Sequence, residues 1–147
     1  MTEHKPDVLF HHFHSIGSKN YLLYVCKLVE KGFKQSIQPI YIQTKNQQQA
    51  VQLDKLLWTF KQDSFIPHTI VGDSSLDSTP VQIGWNENQF YKAAAIVNLS
   101  EEIPISYLES KKIHEIIDDD EVKKNEARER WKNYKSKGCQ LGVHQIK

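Results

Sequence analysis

The sequence predicts a single α/β domain with three layers, a largely parallel β-sheet between its helices, and a long C-terminal helix. Short stretches rich in β-forming residues alternate with longer stretches of helical periodicity, which is the pattern of strands joined by crossover helices. A length of 147 residues suits one domain with its own core. No internal repeat, low-complexity segment or linker divides the sequence, so we expect residues 1–147 to form one unit.

In the first half of the chain, two strands and two helices alternate. Residues 8–13 (VLFHHF) predict the first strand, and residues 19–32 predict a helix after a turn in which Ser18 is a candidate N-cap. Residues 37–43 predict a second strand, although Pro39 favours an edge position or a bulge because proline cannot donate to a ladder. Residues 46–60 predict a second helix with an inward apolar stripe: Ala50, Leu53, Leu56 and Leu57.

The second half of the chain predicts a connecting loop, several short strands and the long helix. The apolar stretch AAAIVNL at residues 93–99 predicts a buried strand at the centre of the sheet. The other expected elements are a loop at 62–67, short strands at 68–71 and 81–84, a short helix within 103–109, a strand at 112–117 and a last extended segment at 141–146.

Residues 118–137 (DDDEVKKNEARERWKNYKSK) predict one helix, with acids at its start and lysines in its last turn, as the helix dipole favours. Gly138 follows where a left-handed C-terminal cap is expected. Ala127 and Tyr134 form a narrow apolar edge. A row of cations around an indole lies beside that edge: Lys124, Arg128, Trp131, Lys132 and Lys135. Basic helix faces are usually only solvated, but this combination is typical of a site for an acidic peptide ending in an apolar residue.

A second aromatic feature follows the second helix. Trp58 lies off the inward stripe, and Phe65 lies in the loop just before Pro67. Such an aromatic pair either fills the core or forms an exposed anchor for a partner protein, since tryptophan is enriched at interfaces. The pattern alone leaves both interpretations open.

Composition excludes several function classes. The net charge of +1 argues against an extended duplex-binding surface. No apolar run approaches the roughly 18 residues of a membrane span, and the N-terminal residues lack the apolar region of a signal peptide. Cys26 and Cys139 have neither metal-ligand spacing nor a disulfide pattern. We therefore expect a reduced, cytoplasmic protein without membrane contact.

Nucleotide or metal binding is the competing hypothesis. Gly17 lies where a nucleotide-binding fold has its phosphate loop, but this single glycine fits neither GxGxxG nor GxxxxGK[ST]. His11, His12 and His14 are the densest group of potential metal ligands, and His12 and His14 share a strand face. No cysteine or carboxylate at ligand spacing completes the set, so solvated or partly buried histidines are the favoured interpretation.

Catalytic motifs are missing from the sequence. No GxSxG or comparable nucleophile motif occurs, and neither cysteine lies in one. Asp118, Asp119 and Asp120 suit a helix start better than a metal or acid–base site. We therefore predict no catalytic residue, no metal site and no cofactor.

Two blocks of the sequence resemble a known family, the chi subunit of bacterial DNA polymerase III. The block AVQLDKLLWTFKQDSFIPHTIVGDSSLDSTPVQIGW at residues 50–85 is similar to the family pattern of a helix ending LDxxLW, then SFxPH, a polar loop and PVxIxW. The block ARERWKNYKSKGCQL at residues 127–141 is similar to the family ending ARERYKxYRxxG. The resemblance covers nearly the whole chain at matching spacings.

This resemblance implies a Rossmann-like domain without enzymatic activity, which bridges the clamp loader to single-stranded DNA-binding protein and reaches DNA only indirectly. One surface of the family binds the psi subunit, and the motif residues that match it are Trp58, Phe65 and Pro67. The opposite surface binds the acidic C-terminal tail of single-stranded DNA-binding protein. The matching residues are Lys124, Arg128, Trp131 and Lys132, with Ile117 at the adjacent strand end.

The sequence departs from the family pattern at two places. Trp131 replaces the usual tyrosine, so the apolar wall is kept and the hydroxyl is lost. The polar loop SSLDST at residues 74–79 has fewer glycines than the family pattern. A Rossmann-like nucleotide- or metal-binding enzyme, and direct binding of single-stranded DNA by the basic helix, are the alternative hypotheses.

Overall fold

The computed structural model describes residues 5–13, 18–63, 65–71, 79–85 and 92–146. Strands and helices alternate through this part of the chain, as predicted, with a short 3₁₀ helix at Tyr107–Glu109. The other elements are β1 (Asp7–Phe13), α1 (Ser18–Lys34), β2 (Ile40–Gln43), α2 (Gln47–Thr59), β3 (His68–Ile70), β4 (Val81–Gly84), β5 (Ala95–Asn98), β6 (Lys112–Ile117), α3 (Glu121–Ser136) and β7 (Gln140–Ile146).

The described strands form one parallel sheet between two helical layers, which confirms the predicted α/β class. Their order is β3-β4-β2-β5-β6-β1-β7, and every neighbouring pair is parallel. One core cluster joins α1 and α2 to one face of the sheet, and a second cluster joins α3 to the other face. β5 lies at the centre with all its residues buried, as predicted.

The edge position or bulge predicted for the second strand is wrong. β2 lies inside the sheet, between β4 and β5, and all its residues are buried. Pro39 precedes the first strand residue, Ile40, so its missing N–H removes no hydrogen bond from the ladder. The Pro39 carbonyl instead accepts a hydrogen bond from the amide of Ala94 at 2.9 Å. The proline therefore marks the entry to an interior strand.

The long C-terminal helix is confirmed, with a later start than predicted. It begins at Glu121 because Asp120 is the N-cap, and the Asp120 side chain accepts a hydrogen bond from the amide of Val122 at 3.1 Å. The predicted left-handed cap is also confirmed, since Gly138 has φ of 87°. The amide of Cys139 then donates to the carbonyl of Tyr134 at 3.1 Å, which closes the helix before β7.

A buried polar cluster joins α3 to the sheet. The side chain of Glu115 in β6 is fully buried, and its carboxylate accepts hydrogen bonds from Arg130 Nε at 3.0 Å and the Tyr134 hydroxyl at 2.7 Å. Asn98 Nδ2 donates a third hydrogen bond at 2.9 Å. Burial raises the pKa of Glu115, while the charge of Arg130 and these hydrogen bonds oppose that rise.

Two histidines form a second polar contact on the opposite face of the sheet. His11 Nε2 in β1 lies 2.8 Å from His114 Nδ1 in β6, and the Tyr24 hydroxyl lies 2.6 Å from His11 Nδ1. Burial, followed by nearby His144 and Lys112, lowers the pKa of His11 to about 4. Burial also lowers the pKa of His114 to about 3. Both imidazoles are therefore neutral at pH 7.

We expect Glu115→Ala to lower the free energy of unfolding by about 3–5 kcal/mol, because it leaves a buried guanidinium without its carboxylate. Urea denaturation followed by circular dichroism measures this change. Glu129→Ala is the matched control, since it removes an exposed α3 carboxylate that lies 3.6 Å from Lys132. This control should cost less than about 1 kcal/mol. Equally small losses in the two variants would contradict a structural role for the buried cluster.

Stability should decrease as the pH falls from 6.5 to 5. The folded pKa values of His11 and His114 lie below the unfolded value of 6.5, so the unfolded chain binds more protons in this range. The expected loss is about 2 kcal/mol for each imidazole that stays neutral when folded. His114→Gln removes one titrating group, and its plot of unfolding free energy against pH should be flatter than that of the wild type. Parallel plots would refute the assignment.

Candidate partner-binding surfaces

A cleft of about 180 Å³ lies between α3 and the sheet, and we name it the α3 cleft. Ala127, Arg130 and Tyr134 are buried and fix which side of α3 faces the sheet, so the next side chains around the helix line the cleft. Trp131 is half-buried, with its ring centroid 5.1 Å from that of Phe10 in β1. The indole therefore forms a wall of the cleft while it also packs against the core.

Four of the five residues predicted for the tail site line this cleft: Ile117, Lys124, Arg128 and Trp131. Ile117 is the last residue of β6, where it was predicted to lie. Lys132 does not line the cleft; its side chain is exposed and its amine lies 3.6 Å from Glu129. The structure thus brings two of the predicted cations, Lys124 and Arg128, together with the apolar wall, while Lys132 lies outside the lining of the cleft.

Three further residues that line the α3 cleft were not predicted from the sequence. Phe10 and His12 come from β1, and Val143 comes from β7. The alternation of side chains along β1 could have indicated that Phe10 and His12 share one face. Nothing in the sequence indicated that β7 would pair with β1 and place Val143 beside them.

The cations of the α3 cleft differ in their electrostatic partners. Lys124 lies 2.6 Å from an oxygen of Asp119, and the hydrogen bond to Asp119 raises the pKa of Lys124. Arg128 donates to Asn125 Oδ1, a neutral acceptor, and has no ion pair with any described residue. Arg128 is therefore the cation of this cleft whose charge is least compensated within the described chain.

A second candidate surface, the α2 patch, consists of Trp58, Phe65 and Pro67. Trp58 is 48% exposed and Phe65 is 69% exposed, so the aromatic pair lies on the surface and does not fill the core. Their ring centroids are 5.7 Å apart. The Trp58 ring also lies 4.1 Å from the ring of His68, which is buried and hydrogen-bonded to the carbonyl of Ile66. The patch therefore packs against a buried, hydrogen-bonded side chain.

The two surfaces lie on opposite faces of the sheet. The α2 patch belongs to the helical layer of α1 and α2, next to the edge strand β3. The α3 cleft lies on the other face, over β6, β1 and β7 at the opposite end of the strand order. A partner bound at one of these surfaces would therefore leave the other surface accessible.

The competing hypotheses of a Gly17 phosphate loop and a histidine metal site gain nothing from the described residues. Gly17 and His14 lie outside them. His11 and His12 point to opposite faces of β1, because His11 contacts Tyr24 on the α1 side while His12 lines the α3 cleft. No group of three or more histidine, cysteine or acidic side chains within the described ranges is arranged to hold a metal. None of the described helices is long and apolar enough to cross a membrane.

The two cysteines are free thiols, as predicted, and both are buried. Burial raises the pKa of Cys26 to about 12 and also raises that of Cys139. Both thiols are therefore protonated at neutral pH and are poor nucleophiles.

Comparison with known proteins gives a consistent result. The chain is similar to proteins named DNA polymerase III subunit chi from three bacteria. It is 27% identical to that of Haemophilus influenzae over 108 residues, covering 73% of this chain and 75% of the relative. It is 26% identical to that of Pseudomonas aeruginosa over 121 residues, covering 82% and 83%. It is 25% identical to that of Escherichia coli over 120 residues, covering 81% of each.

A family model described as "DNA polymerase III chi subunit, HolC" matches residues 6–142 of the chain. This match includes every described residue of the α3 cleft except Val143 and all of the α2 patch. Because it extends over far more than half of the sequence, the chain belongs to the DNA polymerase III chi subunit family.

Proposed function

We propose that this protein is a non-catalytic adaptor of DNA polymerase III in DNA replication. In this role it joins the psi subunit, and through it the clamp loader, to the acidic C-terminal tail of single-stranded DNA-binding protein. The observation that carries the proposal is the α3 cleft, in which an arginine without an acidic partner among the described residues lies beside an apolar wall. The protein would act in the cytoplasm, use no cofactor and reach DNA only through its partner.

The chemistry of the α3 cleft suits a short acidic tail that ends in a large apolar residue. The Arg128 guanidinium can form a bidentate hydrogen-bonded pair with a carboxylate of the tail, including the tail's C-terminal carboxylate. Trp131 and Ile117 offer the apolar side chain a wall that is already packed and costs little to order. Lys124 contributes once the incoming carboxylate displaces Asp119.

The proposed tail contact is small and depends on charge, so it should be weak and sensitive to salt. Affinities on the order of micromolar are expected for a contact of a few residues. Salt screens exposed charges over about 8 Å at physiological ionic strength. A partner that presents several tails compensates for this weakness, because the first contact raises the effective concentration of the others.

The α2 patch has the features of an anchor for psi. Large exposed aromatic residues that rest on a rigid support are typical of the side chains that dominate binding energy at interfaces. Trp58 and Phe65 already lie against each other, so little side-chain entropy remains to be lost on binding. Their position on the face opposite the α3 cleft supports an adaptor that holds both partners at once.

Arg128→Ala should weaken binding of a tail peptide by roughly tenfold or more, because the strongest carboxylate partner in the α3 cleft is removed. Lys132→Glu should weaken it only several-fold, since Lys132 follows Trp131 on α3 but does not line the cleft and already pairs with Glu129. Fluorescence anisotropy with a labelled acidic peptide at two salt concentrations measures both effects.

The control for this experiment is Lys111→Glu, an equal charge change at an exposed residue between the 3₁₀ helix and β6 that does not line the α3 cleft. Its peptide affinity should remain close to that of the wild type. If Arg128→Ala and Lys132→Glu also retained the affinity of the wild type, the peptide would not bind at this cleft and the assignment would fail.

Trp58→Ala should abolish co-purification with psi while the chain remains folded. The indole is about half exposed, and its loss removes an anchor without opening the core. The matched control is Leu108→Ala, which truncates another exposed apolar side chain, 47% exposed, on the 3₁₀ helix. Both variants should show cooperative thermal unfolding. A psi complex that survives Trp58→Ala would remove the α2 patch from the interface.

A further inference from the structure

A larger cleft lies on the other face of the sheet, between α1 and strands β1, β6 and β7. We name it the α1 cleft, and its volume of about 630 Å³ lies in the range of sites for small organic ligands, which is about 300–1,000 Å³. It shares no lining residue with the α3 cleft or the α2 patch. Its polar lining includes three lysines and three histidines: Lys27, Lys31, Lys112, His11, His114 and His144.

The charged side chains that line the α1 cleft are all basic. No acidic side chain is among its described lining residues, and Lys27, Lys31 and Lys112 form no ion pair with any described residue. Lys34, one turn further along α1, differs because it lies 3.8 Å from Glu30. A lysine in the last turn of a helix usually compensates the helix dipole. That explanation does not apply to Lys112, which begins a strand.

The charges of Lys112 and Lys31 act on the histidine pair. Besides burial, which is the largest cause, His11, Lys112 and Lys31 lower the pKa of His114. Lys31 of α1 and Lys112 of β6 line the same cleft as this imidazole. An anion bound there would be attracted by both amines.

The histidine pair can also offer a neutral hydrogen-bond donor to the cleft. If the Tyr24 hydroxyl donates to His11 Nδ1, then His11 Nε2–H donates to His114 Nδ1. In that arrangement, His114 Nε2 carries its proton, and His114 lines the cleft. If His114 instead donates to His11, and His11 donates to Tyr24, then His114 Nε2 carries no proton and becomes an acceptor. A bound anion selects the first arrangement without any change in net charge.

The cleft has an apolar part beside these cations. Leu9 of β1 and Leu28 of α1 line it together with Ile37, which follows the helix. Such a lining accommodates an organic group in addition to the anion. An extended polyanion requires a longer basic track, which a chain of net charge +1 does not favour.

We propose that the α1 cleft binds a small organic diphosphate of the nucleoside diphosphate class. Lys31 and Lys112 contact the phosphates, Lys27 and His144 lie at the rim, and Leu9 and Leu28 contact the organic group. This proposal is independent of the adaptor function, because the α1 cleft shares no lining residue with the α3 cleft or the α2 patch.

The test is an NMR titration of the full ¹⁵N-labelled chain with ADP, pyrophosphate and adenosine. ADP should produce saturable shifts at the amides of Gly32, Lys112 and His114, pyrophosphate weaker ones, and adenosine none. The ¹⁵N shifts of the His114 ring should move towards the tautomer with its proton on Nε2. Lys31→Gln/Lys112→Gln should weaken ADP binding by roughly five- to tenfold.

Lys34→Gln is the matched control, because it removes a lysine of α1 that does not line the cleft. Its affinity for ADP should equal that of the wild type. The proposal is overturned if ADP causes no saturable shift at these amides, or if its shifts occur at the α3 cleft instead. It is also overturned if adenosine binds as tightly as ADP, or if the double variant retains the affinity of the wild type.

Discussion

The buried contact between Glu115 and Arg130 is the interaction on which the arrangement of the α3 cleft depends. α3 has few apolar residues with which to dock, because its buried positions are Ala127, Arg130 and Tyr134. Hydrogen bonds from Arg130 and Tyr134 to one carboxylate of β6 therefore set the rotation of the helix. A purely apolar stripe would tolerate small rotations, whereas a charged hydrogen-bonded pair in the interior does not. The Arg130–Glu115 pair therefore keeps Arg128 and Trp131 in position to line the α3 cleft.

The contact with Glu115 also distinguishes Arg130 from the exposed cations of α3. Arg130 is buried and compensated by Glu115, so its charge belongs to the folded structure. Arg128 lies two residues earlier on an exposed face, and its guanidinium donates to the neutral Asn125. Two arginines in the same ARER motif thus have different environments, since Arg130 is fixed in the core and Arg128 lies at the surface. An acidic ligand can therefore compete for Arg128 without disturbing the core.

The sequence predicted the periodic features of the fold and missed those that arise between distant residues. The stripe of α2, the central strand β5 and the left-handed cap of α3 at Gly138 follow from local spacing and were predicted, whereas Asp120 was placed inside the helix and is its N-cap. The role of Arg130 was missed because cations on a helix are usually solvated, and its partner lies 15 residues away on another element. His11 and His114 are 103 residues apart, so only the pairing of β1 with β6 brings them together. The edge position predicted from Pro39 was wrong because, in the sequence, a proline just before a strand cannot be told from one inside it.

The alternation of side chains along β1 explains why two clefts with different chemistry lie back to back. Phe10 and His12 point towards α3, while Leu9 and His11 point towards α1. β7 repeats this division, since Val143 lines the first cleft and His144 lines the second. At this end of the sheet each face is covered by one helix, and β7 forms the outer edge, so neither helix closes its side completely. A shift of one residue in the pairing of β7 with β1 would exchange the places of Val143 and His144 between the two clefts. The register of one strand pair therefore maintains an apolar wall on one face and a cluster of imidazoles on the other.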